Sequence, residues 1–572
     1  MRKPTPTIGL PLIIALALVL AACTAVQQSP SPDASGPSGS PGATDGGATG
    51  GTVRIGWGGS PDSLNPGNGV LSEAYTLYAL MYDVPVDITS EGEYVPELAE
   101  AWDVSEDGLT WTLTIRDDVT FHDGEPLTAE DVAFSIQLYK DTDSFPFLPS
   151  YATYFETIEA PDEQTVVLTT AEPLGNFEAN MVFMYILPEH IWSELDDPVE
   201  FENEEMIGSG PFQLTNYSQG EFVELEAYEE YWGTGANVDG VIFRTISNPD
   251  ARVTALTTGD VDAITEFPAT AVSQLQNAEN VNVHIADIAA GGTLRDVFFN
   301  IVDPENCPPD DGECTGHPAL LDVEVRQALA MAMDKQQIID VATLGTGSPG
   351  LSLVPPGLGD FYASEVDDWP YDPTQAAATL TGAGYTDRDG DGIRDCPDSL
   401  DCPTGDLTFR FNYPDDIDTG AREAELIQGM WREIGVELQI QGMDADTLTS
   451  ICCPTFDFDV ILWGWGSDPD PAFLLGVGLC DEITSGFSET GYCNPDFDEL
   501  YYAQGVETDP DARRDMIIEM QRILVEDVPY IIPYYSVSIQ AWRTDTFTGW
   551  LDVDPTLGLE DASSLINLRP AQ

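Results

Sequence analysis

Lysine is nearly absent from this chain: Lys3, Lys140 and Lys335 are the only three among 572 residues. Against 20 Lys plus Arg stand 100 Asp plus Glu, a formal net charge of −80. A surface this acidic repels phosphate backbones and anionic headgroups, which excludes nucleic acid as a partner. Histidine is scarce too, with four scattered residues. No C-x-x-C pair occurs, so a zinc centre is poorly supplied, and the lack of a chelating histidine pair argues against nickel. Beyond the N-terminus no apolar run approaches the ~18 residues of a membrane-spanning helix. What remains is ordinary globular material, 42% apolar and 10% aromatic. At this length it suffices for roughly two to four domains.

The N-terminus reads as an address. Arg2 and Lys3 precede an apolar stretch from Ile8 to Leu20, and Leu20-Ala21-Ala22-Cys23 follows at once. Small residues before a cleavage point with cysteine after it resemble a bacterial lipobox. Residues 1–22 are therefore expected to be a lipoprotein signal peptide, with Cys23 lipidated. Residues 23–51 read as a tether, because sixteen of positions 24–51 are Gly, Pro or Ser. Such a segment cannot bury enough apolar surface to order itself. The expected location is the outer face of the cytoplasmic membrane, with the membrane touched through the lipid alone. Eight further cysteines in an exported chain imply disulfides. Proximity pairs Cys307 with Cys314 and Cys396 with Cys402. Cys452, Cys453, Cys480 and Cys493 share two bonds whose pairing stays open.

Strand and helix patterns alternate along the body. Thr52–Trp57 is an opening strand, and Trp111–Arg116 alternates large and polar residues as a half-buried strand does. Thr128, with Asp131 three residues on, starts a helix carrying Val132, Ile136 and Tyr139 at helical spacing. Asp322 and Asp334 begin two successive helices. Residues 421–434 form a helix feeding the strand Val436–Ile440, and residues 511–525 form a helix leading to the strand Tyr530–Tyr534. This mixture predicts α/β lobes, each built round a sheet.

Tyr94-Val95-Pro96-Glu97-Leu98-Ala99-Glu100-Ala101-Trp102, then Glu106-Asp107-Gly108-Leu109-Thr110-Trp111, then Phe121-His122-Asp123-Gly124-Glu125-Pro126-Leu127-Thr128-Ala129-Glu130-Asp131-Val132 occur in that order. Gly208-Ser209-Gly210-Pro211-Phe212, Val325-Arg326-Gln327-Ala328-Leu329-Ala330-Met331-Ala332-Met333-Asp334, Trp463-Gly464-Trp465-Gly466-Ser467-Asp468-Pro469-Asp470-Pro471 and Pro529-Tyr530-Ile531-Ile532-Pro533 follow. Together these blocks closely resemble the signature of family 5 extracellular solute-binding proteins, the peptide and nickel receptors of bacterial ABC importers. The resemblance implies a two-lobed periplasmic-binding-protein fold (type II, cluster C-like) with an inserted subdomain. Lobe I would comprise 52–86, 206–300 and 545–572, lobe II 87–205, and lobe III 301–544. Crossings near Phe299-Asn300 and Arg543-Thr544 would form the hinge. It also implies a monomeric, non-catalytic receptor that closes over di- or oligopeptides and delivers them to a permease and its ATPases. Oligosaccharides, nickel chelates and opines are the alternative solutes.

Asp468 is the principal ligand candidate. The family's peptide-binding members carry an aspartate in this segment that meets the ligand's α-ammonium, and a carboxylate in a water-poor cleft bonds an amine strongly. Trp465 would supply a flat wall. Trp57 and Ser60, on the turn after the first strand, and Tyr75, in the helix beyond it, are further wall candidates. Asp470 is read first as a turn residue that stops the strand.

Apart from the cleft, residues 387–398 carry acids at positions 1, 3, 5, 9 and 12 of a twelve-residue loop with Gly392 at position 6. Asp387, Asp389, Asp391, Asp395, Asp398 and the carbonyl of Ile393 are the expected ligands of a structural Ca²⁺. Aspartate in place of glutamate at position 12 shortens the reach. Two catalytic-looking strings lack their context. Gly345-Thr346-Gly347-Ser348-Pro349-Gly350 follows a helix rather than a strand. Ser209 has no G-x-S-x-G and no histidine placed to activate it. An exported hydrolase is the different-class alternative, and no catalytic residue or required cofactor is expected.

Overall fold

A computed structural model of the chain describes residues 50–571 except 90–92, 143, 266, 287–292, 310, 311, 416, 418, 467, 486 and 552–557. The signal segment, Cys23 and the tether up to residue 49 lie outside the described residues.

The opening strand forms where its pattern places it, at Thr52–Trp57. It runs parallel to Gly240–Thr245 and to Ala263–Ile264. In spatial order the first sheet holds Val281–Ile285, Ile539–Arg543, Ala263–Ile264, Thr52–Trp57, Gly240–Thr245, Phe222–Ala227 and Phe212–Ser218. The second sheet runs Ser348–Pro349, Tyr530–Tyr535, Leu294–Phe299, Val460–Trp465, Thr408–Pro414 and Glu437–Met443. A third, antiparallel sheet of Ala99–Val104, Thr110–Ile115, Thr165–Thr170 and Phe155–Asp162 belongs to the insert.

The strand pairings move the expected lobe crossings. Leu294–Phe299, expected in lobe I, pairs along its length with Val460–Trp465 and sits inside the lobe III sheet. Ile539–Arg543, expected in lobe III, pairs with Val281–Ile285 in the lobe I sheet. The chain therefore crosses between residues 286 and 293 and again between 536 and 538. The Ala286 N–H donates to the Ser538 carbonyl at 3.0 Å, and the Ser536 N–H to Thr293 at 2.8 Å. Long-range pairing decides which sheet takes each segment.

Helix starts follow the caps. Thr128 accepts the Glu130 N–H while Asp131 accepts the Thr128 N–H at 2.8 Å, a capping box at the head of Ala129–Asp141. Asp322 and Asp334 cap Val323–Met331 and Lys335–Ala342. One apolar core is continuous through lobe I and the insert, from Val53 and Leu77 to Leu113 and Val132. Lobe III has its own, built around Trp431, Phe299, Phe411 and Ile427. Full burial of side chains of this size contributes about 1.5–3 kcal/mol each. The fold thus behaves as two bodies: lobe I with its insert, and lobe III. Disulfides join Cys307 to Cys314 and Cys396 to Cys402, as proximity suggested, and also Cys452 to Cys453 and Cys480 to Cys493.

Candidate ligand site

The strand Val460–Trp465 is almost wholly buried and stops before Gly466. Pro469 and Pro471 then remove two backbone donors, so the strand cannot continue. Between them Asp470 accepts the Ala472 N–H at 2.9 Å and pairs with the Arg513 guanidinium at 2.7 Å and 2.8 Å. Both partners are buried. Asp470 is thus the clamp that fixes the turn, in line with its reading as a turn residue.

That clamp leaves Asp468 facing the insert. The Tyr151 hydroxyl, on the short helix Leu148–Ala152, donates to Asp468 Oδ2 at 3.1 Å. The Tyr151 ring is stacked on Phe183 with centroids 4.8 Å apart. Tyr75, on the helix Ser72–Met81, stands close enough that the Asp468 charge helps raise its phenol pKa, after burial. Tyr75 packs edge-on to Tyr78 at 5.7 Å, and Tyr185 lies 6.4 Å away. Burial pushes the Asp468 carboxyl up to about 7; the Tyr151 hydrogen bond opposes this and the Asp470 charge adds to it. A desolvated carboxyl without a cation beside it is costly, and a ligand cation would relieve that cost. The site is a carboxyl framed by phenols, at the seam between the two bodies.

The other candidates lie apart from this group. Trp57 is 3% exposed, stacks on Phe243 at 4.0 Å, and donates its indole N–H to Glu560 at 2.9 Å. Ser60 Oγ accepts the Gly220 N–H at 3.1 Å. Trp465 is buried and donates to Glu489 at 2.8 Å. Their polar atoms are occupied within the protein. Tyr151 was missed by sequence reasoning. Nothing in Phe145-Pro146-Phe147-Leu148-Pro149-Ser150-Tyr151 separates a cleft phenol from a core one.

The acidic loop gathers in part. Asp387, Asp389 and Asp395 bring carboxylate oxygens within 4.8 Å of one another. Each of these three also accepts a backbone N–H, as Asp391 does from Ile393 at 2.8 Å, and Asp398 is held by Arg388 Nη1 at 2.6 Å. Arg388, at the loop's second position, competes for the acids that a cation would use. Three carboxylates supply only part of the six to eight oxygens Ca²⁺ takes.

His122 accepts the Gly208 N–H at Nδ1 and meets the Gly210 carbonyl at Nε2, 3.0 Å away. Its ring is a brace for that segment and holds no serine hydroxyl. Among the described residues no helix is long and apolar enough to cross a membrane.

Two sheet-centred bodies thus meet at a seam that holds a buried carboxyl. The family model for bacterial extracellular solute-binding proteins, family 5 (middle) matches residues 93–482, and the chain belongs to that family. It is 26% identical over 545 residues to the oligopeptide-binding protein AppA of Bacillus subtilis, covering 93% of this chain and 94% of that one. It is 25% identical over 525 residues to a dipeptide-binding protein of Escherichia coli, covering 87% and 91%. Among solved structures, AppA of Bacillus subtilis in complex with a nonapeptide superposes with a TM-score of 0.73 at 23% identity, covering 92% of this chain and 100% of that one. NikZ of Campylobacter jejuni in complex with Ni(L-His) gives 0.73 at 21% identity, covering 91% and 99%. These superpositions show the fold, a two-lobed α/β body.

Proposed function

We propose that this protein is a lipid-anchored, monomeric receptor that captures di- or oligopeptides by lobe closure and delivers them to an ABC importer. The observation that carries the reading is the Asp468 carboxyl at the seam, desolvated by burial, hydrogen-bonded by Tyr151 and paired with no cation among the described residues. A peptide α-ammonium at that position supplies the missing charge. Relatives named as oligopeptide- and dipeptide-binding proteins support the peptide class. Closure in this proposal is a rigid-body movement of lobe III against lobe I and its insert. Cys23 carries the lipid, and the tether holds the acidic body clear of the membrane. A Ca²⁺ held by Asp387, Asp389 and Asp395 serves as a clip on the lobe III loop.

Thermal denaturation of the soluble body with a broad peptide pool tests the reading. Ligand at ~100 times its dissociation constant adds about 2.7 kcal/mol to stability. A ligand-free body that no peptide stabilises would overturn the peptide class.

A further inference from the structure

Besides Asp468 and Tyr151, the two bodies meet at a main-chain contact. The Gly175 N–H of the insert donates to the Gly505 carbonyl of lobe III at 2.9 Å. Gly505 stands in the last turn of the helix Pro495–Val506. Carbonyls in the last turn of a helix have no partner within it, so the insert completes an end that lobe III leaves open. No side chain fits at position 175. A Cβ there would lie 2.4 Å from the Glu507 carbonyl, 2.9 Å from that of Gln504 and 3.3 Å from Arg513 Cδ. The first two are backbone atoms and cannot swing aside.

Each side of the contact is rigid. Leu174 and Phe177, flanking Gly175, are buried in the core of lobe I and its insert, and Phe177 stacks on Trp111 with centroids 3.9 Å apart. On the other side Arg513 Nε donates to Gln504 Oε1 at 3.0 Å while its guanidinium holds Asp470. The helix end that meets Gly175 and the turn that aims Asp468 are therefore tied to one arginine.

We infer that Gly175 is a positioning residue for closure: its bare N–H seats on the C-terminal end of the helix Pro495–Val506 and latches the insert to lobe III over the bound solute. The inference rests on the proposed closure of the lobes. Opening the seam breaks this hydrogen bond, and any side chain at position 175 props the seam apart.

The test compares the full chain with Gly175→Ala and with Gly429→Ala, an exposed helical glycine with open space around it. The probe is a random tripeptide pool with free amino termini. Gly175→Ala should release the pool roughly tenfold faster, the loss of about 1.4 kcal/mol, and show a larger radius of gyration in solution scattering. Gly429→Ala should match the unaltered chain in both. Amide hydrogen exchange at Gly175 in the unaltered chain, slower with the pool than without it, needs no variant and covers the case in which Gly175→Ala misfolds. If Gly175→Ala is folded and releases the pool at the unaltered rate, the latch is wrong while the peptide reading stands. If the pool binds neither protein, the peptide reading fails. The latch is then judged by solution scattering alone: it stands if Gly175→Ala has the larger radius of gyration, and falls if the two radii match.

Discussion

Two aspartate-rich segments of lobe III behave in opposite ways. In Asp468-Pro469-Asp470 the acids are withdrawn from water; one is paired with Arg513 and the other faces phenols. In Asp387–Asp398 the acids stand largely in solvent, cap backbone N–H groups and lean on Arg388. The residue type is the same, and the surroundings decide the chemistry. Burial turns Asp468 into a group whose ionisation awaits a partner. Solvent screens the ion pairs of the loop, which are therefore weak.

The largest expected effect breaks the buried member of this comparison. Asp470→Ala strands the Arg513 guanidinium in a buried site. Removing one partner of such a pair costs about 3–5 kcal/mol, read as a drop in the urea midpoint. A shift below about 1 kcal/mol would mean that water reaches Arg513 there.

Next is pH. With its carboxyl pushed up to about 7 in the ligand-free state, Asp468 must lose a proton before an ammonium can pair with it. Protonation therefore competes with the cationic ligand. Affinity should weaken towards about tenfold per pH unit below 7 and level off above it. The groups around it, Tyr151, Tyr75 and Asp470, do not reverse this sign: the phenols are raised further from neutrality, and Asp470 stays paired. Calorimetric dissociation constants from pH 5 to 8 check this, and a flat profile would remove Asp468 from the amine. The same raised pKa means that its ionisation opposes folding as pH rises through about 7. Asp468→Asn should therefore stabilise the ligand-free body more at pH 8 than at pH 5.

Smaller effects belong to the exposed loop. Calcium at ten times its dissociation constant should add about 1.4 kcal/mol to stability. Asp389→Ala should abolish that gain, and Asp398→Ala, whose carboxylate is already held by Arg388, should leave it. An equal loss in both variants would return the site to the full twelve-residue scheme. Smallest and most diffuse, the melting temperature should rise with added NaCl, since a chain of formal charge −80 repels itself.

Local signals carried most of the fold. Thr128, Asp322 and Asp334 mark real helix starts because a side-chain cap acts within three residues. The lobe crossings were displaced because Leu294–Phe299 and Ile539–Arg543 are strands whose partners lie far along the chain. The pairing of Cys480 with Cys493, left open by spacing, follows from the packing of the lobe that holds both. At the candidate site, the motif singled out Asp468 and the helix after the first strand singled out Tyr75, and the structure places the two near each other. Tyr151 was not, since it meets Asp468 across 317 residues of sequence. Trp465, beside Asp468 in the motif, turns to Glu489 in the interior.

Calorimetry of one tripeptide in free and N-acetylated form, on the unaltered body and on Asp468→Asn, tests the central claim most directly. Losing one partner of a desolvated charge pair costs about 2–5 kcal/mol, roughly 30- to several-thousand-fold in affinity. The free tripeptide should bind the unaltered body and lose that much on Asp468→Asn, whereas the acetylated form should bind both proteins poorly. Equal binding of the free and acetylated forms to the unaltered body would contradict the account, leaving Asp468 a turn residue and the solute a neutral one.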